Sequence, residues 1–115
     1  MVEATEPDTL MIRLVVHDTS KITEFEEWYS SGHFPNSLSA FGAVSAERWW
    51  SLDEGEYPVH YAVYTFDSPD ALNRGLADPR IAALTEGFMQ KWGPYGEGSR
   101  SRIRRVEKIS APEGE

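Results

Sequence analysis

The residues of this 115-residue chain with the widest chemical reach are three histidines, a spread of arginines and a dense set of aromatic rings. His33 stands out among them. It lies one helical turn after Tyr29 and two residues before Pro35, at the end of an amphipathic stretch. An imidazole there can give or take a proton near neutral pH. It can equally tie down a helix end by bonding nearby backbone carbonyls, and both readings stay open. His17, His33 and His60 lack the close spacing of metal ligands, so no metal and no tightly bound cofactor is expected. The chain has no cysteine, which excludes thiolate metal sites, disulfides and cysteine nucleophiles. Ser30, Ser31, Ser37 and Ser39 cluster near His33 without a Gly-x-Ser-x-Gly elbow. The glycines from Gly93 to Gly98 follow a helix instead of a strand, and so read as a linker, not a nucleotide loop.

Strand alternation adds further candidates. In the apolar run Leu10 to His17, one face carries Leu10, Ile12, Leu14 and Val16, and the other Met11, Arg13, Val15 and His17. The aliphatic set belongs under helices, which turns Arg13 and His17 to the opposite side. Arg48 lies in a second strand, Ala43 to Leu52, and Tyr61 and Tyr64 in a third, Pro58 to Phe66; pattern alone does not assign the faces of these two. Arg13, His17, Arg48 and one or both tyrosines could then line one cavity, with Trp28, Trp50, Trp92 and Tyr95 as apolar walls. Arginine and tyrosine donors among tryptophans suit an anionic, aromatic or polyketide-like ligand. The competing reading pairs Arg13 and Arg48 with Glu47, Asp67 or Glu107 in a salt-bridge network.

Clear punctuation delimits the elements that must position these groups. After the first strand, Asp18, Thr19 and Ser20 offer caps, with Thr23 and Glu26 at capping-box spacing. The spacing of Ile22, Phe25 and Tyr29 predicts a helix over 22–31 that Gly32 and Pro35 end or break. Phe41-Gly42 marks the turn into the second strand, and residues 53–56 form a hairpin loop to the third. Asp67-Ser68-Pro69 and Asp78-Pro79 each open a helix, the second stopping at Gly93-Pro94. Ser101 to Ile109 alternates and predicts the last strand. The order is β-α-β-β-α-β with a split second helix. It implies an α+β, ferredoxin-like domain over residues 10–110, with a four-stranded antiparallel sheet and acidic tails at 1–9 and 111–115. No element is left to cover the second sheet face, so a homodimer is expected.

The formal charge of −8 disfavours nucleic acid and anionic membranes as partners. Arg100, Arg102, Arg104, Arg105 and Lys108 run against that balance and read as a solvated face or dimer-contact ladder. No apolar stretch has the length of a membrane span, the acidic N-terminus is unlike a secretory leader, and a cytoplasmic location is expected.

The segments Phe25-Glu26-Glu27-Trp28-Tyr29, His33-Phe34-Pro35, Phe41-Gly42 and Ala46-Glu47-Arg48-Trp49 together resemble the EthD-like branch of the dimeric α+β barrel superfamily. Tyr61 to Phe66 and Phe88 to Tyr95 fit the same layout, so the resemblance spans about Leu10 to Ile109. The chain departs from the family pattern at Gly32 and Asn36, where acidic residues are usual, and at Ala40-Phe41-Gly42, where Pro-Gly-Phe is usual. The resemblance implies a pocket-lining role for His33. It also implies a superfamily of cyclases, isomerases, cofactor-free monooxygenases and haem enzymes. The expectation is an acid/base enzyme (cyclisation, isomerisation, dehydration or decarboxylation) acting on a small hydrophobic or aromatic substrate. His33 would be the base or acid, Arg48 and Arg13 would place negative charge, and Tyr61 or Tyr64 would be the oxyanion donor. A non-catalytic ligand-binding or stress-response barrel, or a cofactor-free monooxygenase, is the alternative.

Overall fold

The computed structural model describes residues 6–112. Most of the expected acidic N-terminal tail, and the last three residues of the C-terminal one, lie outside them. Strand β1 (Thr9–Val16) opens the fold and occupies a central place in the sheet. Strands β2 (Ser45–Ser51), β3 (Val59–Thr65) and β4 (Gly96–Ile103) complete it in the order β2-β3-β1-β4, all neighbours antiparallel. This is the expected ferredoxin-like sheet. Asp8 already belongs to it, since its backbone bonds both Phe66 and Ile103.

The helices lie on one face. Helix α1 (Ile22–Trp28) does not stop near Ser31. It passes through a π turn, Tyr29–His33, into α2 (Phe34–Phe41). Pro35 breaks nothing because it falls in the first turn of α2, and the Phe34 amide bonds back five residues to the Tyr29 carbonyl. Gly42, at φ 71°, ends α2 in the left-handed conformation that glycine adopts without penalty. Ser68 caps α3 (Pro69–Ala77) by accepting from the Ala71 amide, and Asp78 caps α4 (Pro79–Trp92) at the Arg80 amide. The capping-box expectation at Thr23 and Glu26 is not met. Asp18 instead caps a short 3-10 turn at Thr19–Lys21.

The last strand differs most from expectation. It begins at Gly96 and ends at Ile103, so the glycines read as a linker are strand residues. Residues 104–112 carry no regular structure. The cause is pairing: Gly96 and Gly98 stand opposite Val16 and Leu14, and a Cβ at Gly96 would lie 2.4 Å from the Val15 carbonyl oxygen.

Register sorts the side chains. Leu10, Leu14 and Val16 with Ala62, Tyr64 and Phe66 are buried against Phe25, Tyr29, Phe41, Leu72, Ile81 and Trp92 from the helices. Gly75 lets α3 approach α2 closely, for a Cβ there would meet the Phe41 carbonyl oxygen at 2.5 Å. The opposite sheet face, with Met11, Val15, Trp49 and Val63, carries no helix among the described residues.

Candidate functional site

Two groups of polar side chains emerge, one on each face of the sheet. On the helix-free face, Arg13 Nη2 donates to Glu54 Oε2 at 2.8 Å and Arg13 Nε to the Tyr61 hydroxyl at 3.3 Å. The Tyr61 hydroxyl in turn donates to Glu54 at 2.8 Å. Glu54 therefore folds the β2–β3 loop back over the sheet, and the two partners hold its carboxyl below the usual range. His17 sits at the same face's rim beside Tyr57, with Glu97 3.3 Å away.

On the helix face, Arg48 reaches toward α1 and the π turn. Its Nε donates to His60 Nε2 at 2.9 Å, Nη1 to Ser30 Oγ at 2.7 Å, and Nη2 to Glu26 Oε2. Trp50 Nε1 donates to the same Glu26 oxygen at 2.6 Å. The guanidinium lies 4.8 Å from the centre of the Tyr29 ring. His60 is 1% exposed, and accepting from Arg48 fixes it as the neutral tautomer with its proton on Nδ1. Burial, reinforced by the Arg48 charge, pushes its pKa down to about 3.

These placements correct the expectation of a shared cavity. Arg13, His17 and Tyr61 stand on one face, and Arg48, Trp50 and Tyr64 on the other, because Arg48 pairs with Ala62 and Arg13 with Tyr61 in adjacent registers. The arginines also form ion pairs, but with Glu54 and Glu26, not with Glu47, Asp67 or Glu107. Trp92 is core, with Tyr95 half-buried beside it at a ring separation of 6.2 Å.

A cavity of about 570 Å³, open on one side, lies between the helices and the β1–β4 half of the sheet. Ile12, Phe41, Leu76, Ile81, Leu84 and Phe88 give it apolar walls. Tyr29, His33 and Ser37 supply its inner polar groups, and Glu86, Ser99 and Arg100 its mouth. His33 is stacked on Trp28, ring centres 4.8 Å apart and planes within 18°, with Tyr29 at 4.9 Å and Phe88 at 5.3 Å. In a regular α-helix residues five apart point about 140° away from each other; the π turn brings Trp28 and His33 together. Desolvation among these rings lowers the His33 pKa to about 4. The imidazole is thus uncharged at neutral pH, and no hydrogen bond to another described side chain occupies it.

Behind this wall the Tyr64 hydroxyl is fully buried, beside Ser37 and Tyr29, with no well-formed hydrogen bond among the described residues. Burial raises the pKa of both Tyr29 and Tyr64, so both are protonated donors at neutral pH. Sequence reasoning named His33, Trp28 and Tyr64 here but missed Ser37, Phe88, Gly98, Arg100 and the buried His60. Ser37 was one of four serines clustered near His33, and nothing local distinguished it. Gly98 and Arg100 were hidden by the misplaced start of β4.

No family model matches the chain, and no curated protein matches it. Solved structures do. A dimeric ferredoxin-like protein from an uncultured marine organism superposes with a TM-score of 0.65 at 15% identity, covering 90% of this chain and 98% of that one. An ethyl tert-butyl ether D (EthD) family protein from Bacillus halodurans gives 0.59 at 13% identity, covering 82% and 97%. SnoaB, a cofactor-independent oxygenase from Streptomyces nogalater, gives 0.55 at 20% identity, covering 90% and 96%. These likenesses define the fold. It is the α+β, ferredoxin-like architecture of EthD family and dimeric ferredoxin-like proteins, as the Trp28-Tyr29 and His33-Phe34-Pro35 segments led one to expect. It is compatible with small-molecule enzymes. No helix among the described residues is long and apolar enough to cross a membrane.

Proposed function

We propose that this chain is a small-molecule enzyme that moves a proton on a hydrophobic carbonyl substrate held in the helix-side cavity, with His33 as the base. The observation that carries the reading is the neutral, unpartnered His33 imidazole facing an apolar cavity of about 570 Å³ beside protonated tyrosine and serine hydroxyls. That volume falls within the range of about 300–1,000 Å³ usual for small-ligand sites. The imidazole nitrogen takes the proton from a carbon next to the carbonyl, and the electron pair passes to the carbonyl oxygen. The Tyr29 or Ser37 hydroxyl donates to that developing enolate. In a β,γ-unsaturated carbonyl, return of the proton to the γ-carbon of the dienolate completes an isomerisation. Where a second carbonyl lies within the substrate, the enolate carbon bonds to its carbon and the new alkoxide takes the proton back from the imidazolium, which completes a cyclisation. A base with a pKa of about 4 is weak when the cavity is empty, but a developing anion beside it draws its pKa back up. Arg48 acts as a positioning residue in this scheme, clamping the π turn through Ser30 and Glu26 and backing the Tyr29 ring.

Two copies would pair through their helix-free sheet faces. The exposure of Trp49, at 59%, and the lack of a covering helix among the described residues support this, as does the dimeric state named for the ferredoxin-like neighbours.

Deuterium uptake from D2O into 2-tetralone, an enolisable aryl-fused ketone, tests the reading by NMR at neutral pH. Wild type should exchange the protons beside the carbonyl well above the buffer rate, and His33→Gln should lose at least a hundredfold while keeping its fold by circular dichroism. Equal rates for the two proteins, or no rate above buffer for wild type, would remove His33 from the chemistry.

A further inference from the structure

On β4 the residues facing the helices are Gly96, Gly98, Arg100 and Arg102, because they pair with the helix-facing Val16, Leu14, Ile12 and Leu10 of β1. Two bare positions are thus followed by two cationic ones along a single row. Gly98 and Arg100 both line the cavity. A Cβ built on Gly98 would sit 3.7 Å from the Arg13 carbonyl oxygen and 3.8 Å from Leu14 Cδ1, ordinary contact distances. The backbone there requires no glycine. A larger side chain would fit against the sheet and project into the space between β4 and α4. The glycine is what leaves that space open.

Arg100, two residues on, stands at the mouth with no ion-pair partner among the described residues, whereas Arg13, Arg48 and Arg80 are each held by a carboxylate. Glu86 shares the mouth, and its carboxylate would repel an anion placed against it. The favourable place for negative charge is therefore on the β4 side.

From this row we infer that β4 is the specificity element of the cavity. Gly98 admits a flat aromatic ring system, and Arg100 pairs with a carboxylate or sulfonate carried at its outer end. The preferred substrate class is an anionic aromatic compound, seated with its ring over the bare strand and its acid group at the mouth. This rests on the helix-side cavity being the ligand site, and it adds charge and shape to that reading.

Two fluorescent probes with the same ring system separate the parts: 8-anilino-1-naphthalenesulfonate, which is anionic, and N-phenyl-1-naphthylamine, which is neutral. Wild type should bind both in the cavity and favour the sulfonate about tenfold, the worth of one charge-assisted pair. Arg100→Gln should erase that preference by weakening the sulfonate alone, while Lys108→Gln, outside the strand, should not. Gly98→Val should lose both probes at least tenfold and keep or raise its melting temperature, since a β-branched residue suits a strand better than glycine. Gly98→Ala should lie between, which keeps the test sound if valine disturbs the sheet. Undiminished probe binding by a folded Gly98→Val protein, or undiminished sulfonate preference in Arg100→Gln, would overturn the inference. Equal binding of both probes by wild type would overturn only the charge preference and leave the cavity as the site. Binding of neither by wild type would overturn this inference and the site together.

Discussion

Replacing His33 with leucine should make the protein less sensitive to acid, and the size of the change follows from the site. The imidazole is packed between Trp28, Tyr29 and Phe88 and its pKa is pushed from an ordinary 6.5 down to about 4 by burial. Between those two pH values the unfolded chain binds a proton that the folded chain refuses. Unfolding is therefore favoured as pH falls through this window, and stability is lost in the acid direction. Moving an imidazole from 6.5 to about 4 corresponds to about 3 kcal/mol. The ring is not fully enclosed, and solvent screening reduces the expected loss to about 2 kcal/mol. The charged groups around it do little to offset this: Arg48 on the sheet and Lys91 on α4 are cationic, His60 is neutral, and Glu86 stands at the cavity mouth. Leucine keeps the apolar contacts and has no proton to gain. Urea unfolding followed by tryptophan fluorescence at pH 7, 6, 5 and 4 would compare the two proteins. The variant should gain about 2 kcal/mol on wild type between pH 7 and pH 4; His60, held down first by burial and Arg48 in both proteins, largely cancels. A gap constant to within about 0.5 kcal/mol would refute the desolvation argument, as would an NMR titration placing folded His33 near its ordinary value.

Two further outcomes are expected. Arg48→Met should destabilise the fold by about 1–3 kcal/mol in urea unfolding, because it strands the buried His60 Nε2 acceptor and leaves Glu26 with Trp50 alone; Arg48→Lys should recover little, since one ammonium cannot reach three acceptors on separate elements. Val63→Asp places a charge at the centre of the helix-free sheet face and should give a folded monomer by sedimentation, whereas an unchanged sedimentation coefficient would show that this face is not where copies meet.

Local signals carried most of the fold. Serine and aspartate caps before Pro69 and Pro79 set two helix starts, Phe41-Gly42 set a turn that glycine alone takes easily, and the aliphatic alternation of Leu10 to Val16 assigned the faces of β1. These features act over a few residues, so sequence spacing is enough to read them. The π turn was not legible, because Gly32 and Pro35 ordinarily break a helix; here the continuity of α1 and α2 across the sheet is held by tertiary contacts, Arg48 to Ser30 among them.

What only the folded chain decided was which face of the sheet Arg48 takes. Arg48 and Arg13 have the same chemistry and each lies within a strand, yet strand pairing sends one beneath the helices and the other to the open face. A one-residue change in register inverts such an assignment. The start of β4 was likewise fixed by pairing with β1, which turned one supposed linker glycine, Gly98, into a wall of the cavity and brought Arg100 to its mouth. The sequence by itself determined the elements and proposed His33. Tertiary structure decided its neighbours, because a cavity is made by residues distant in the chain and, at Gly98, by the absence of a side chain.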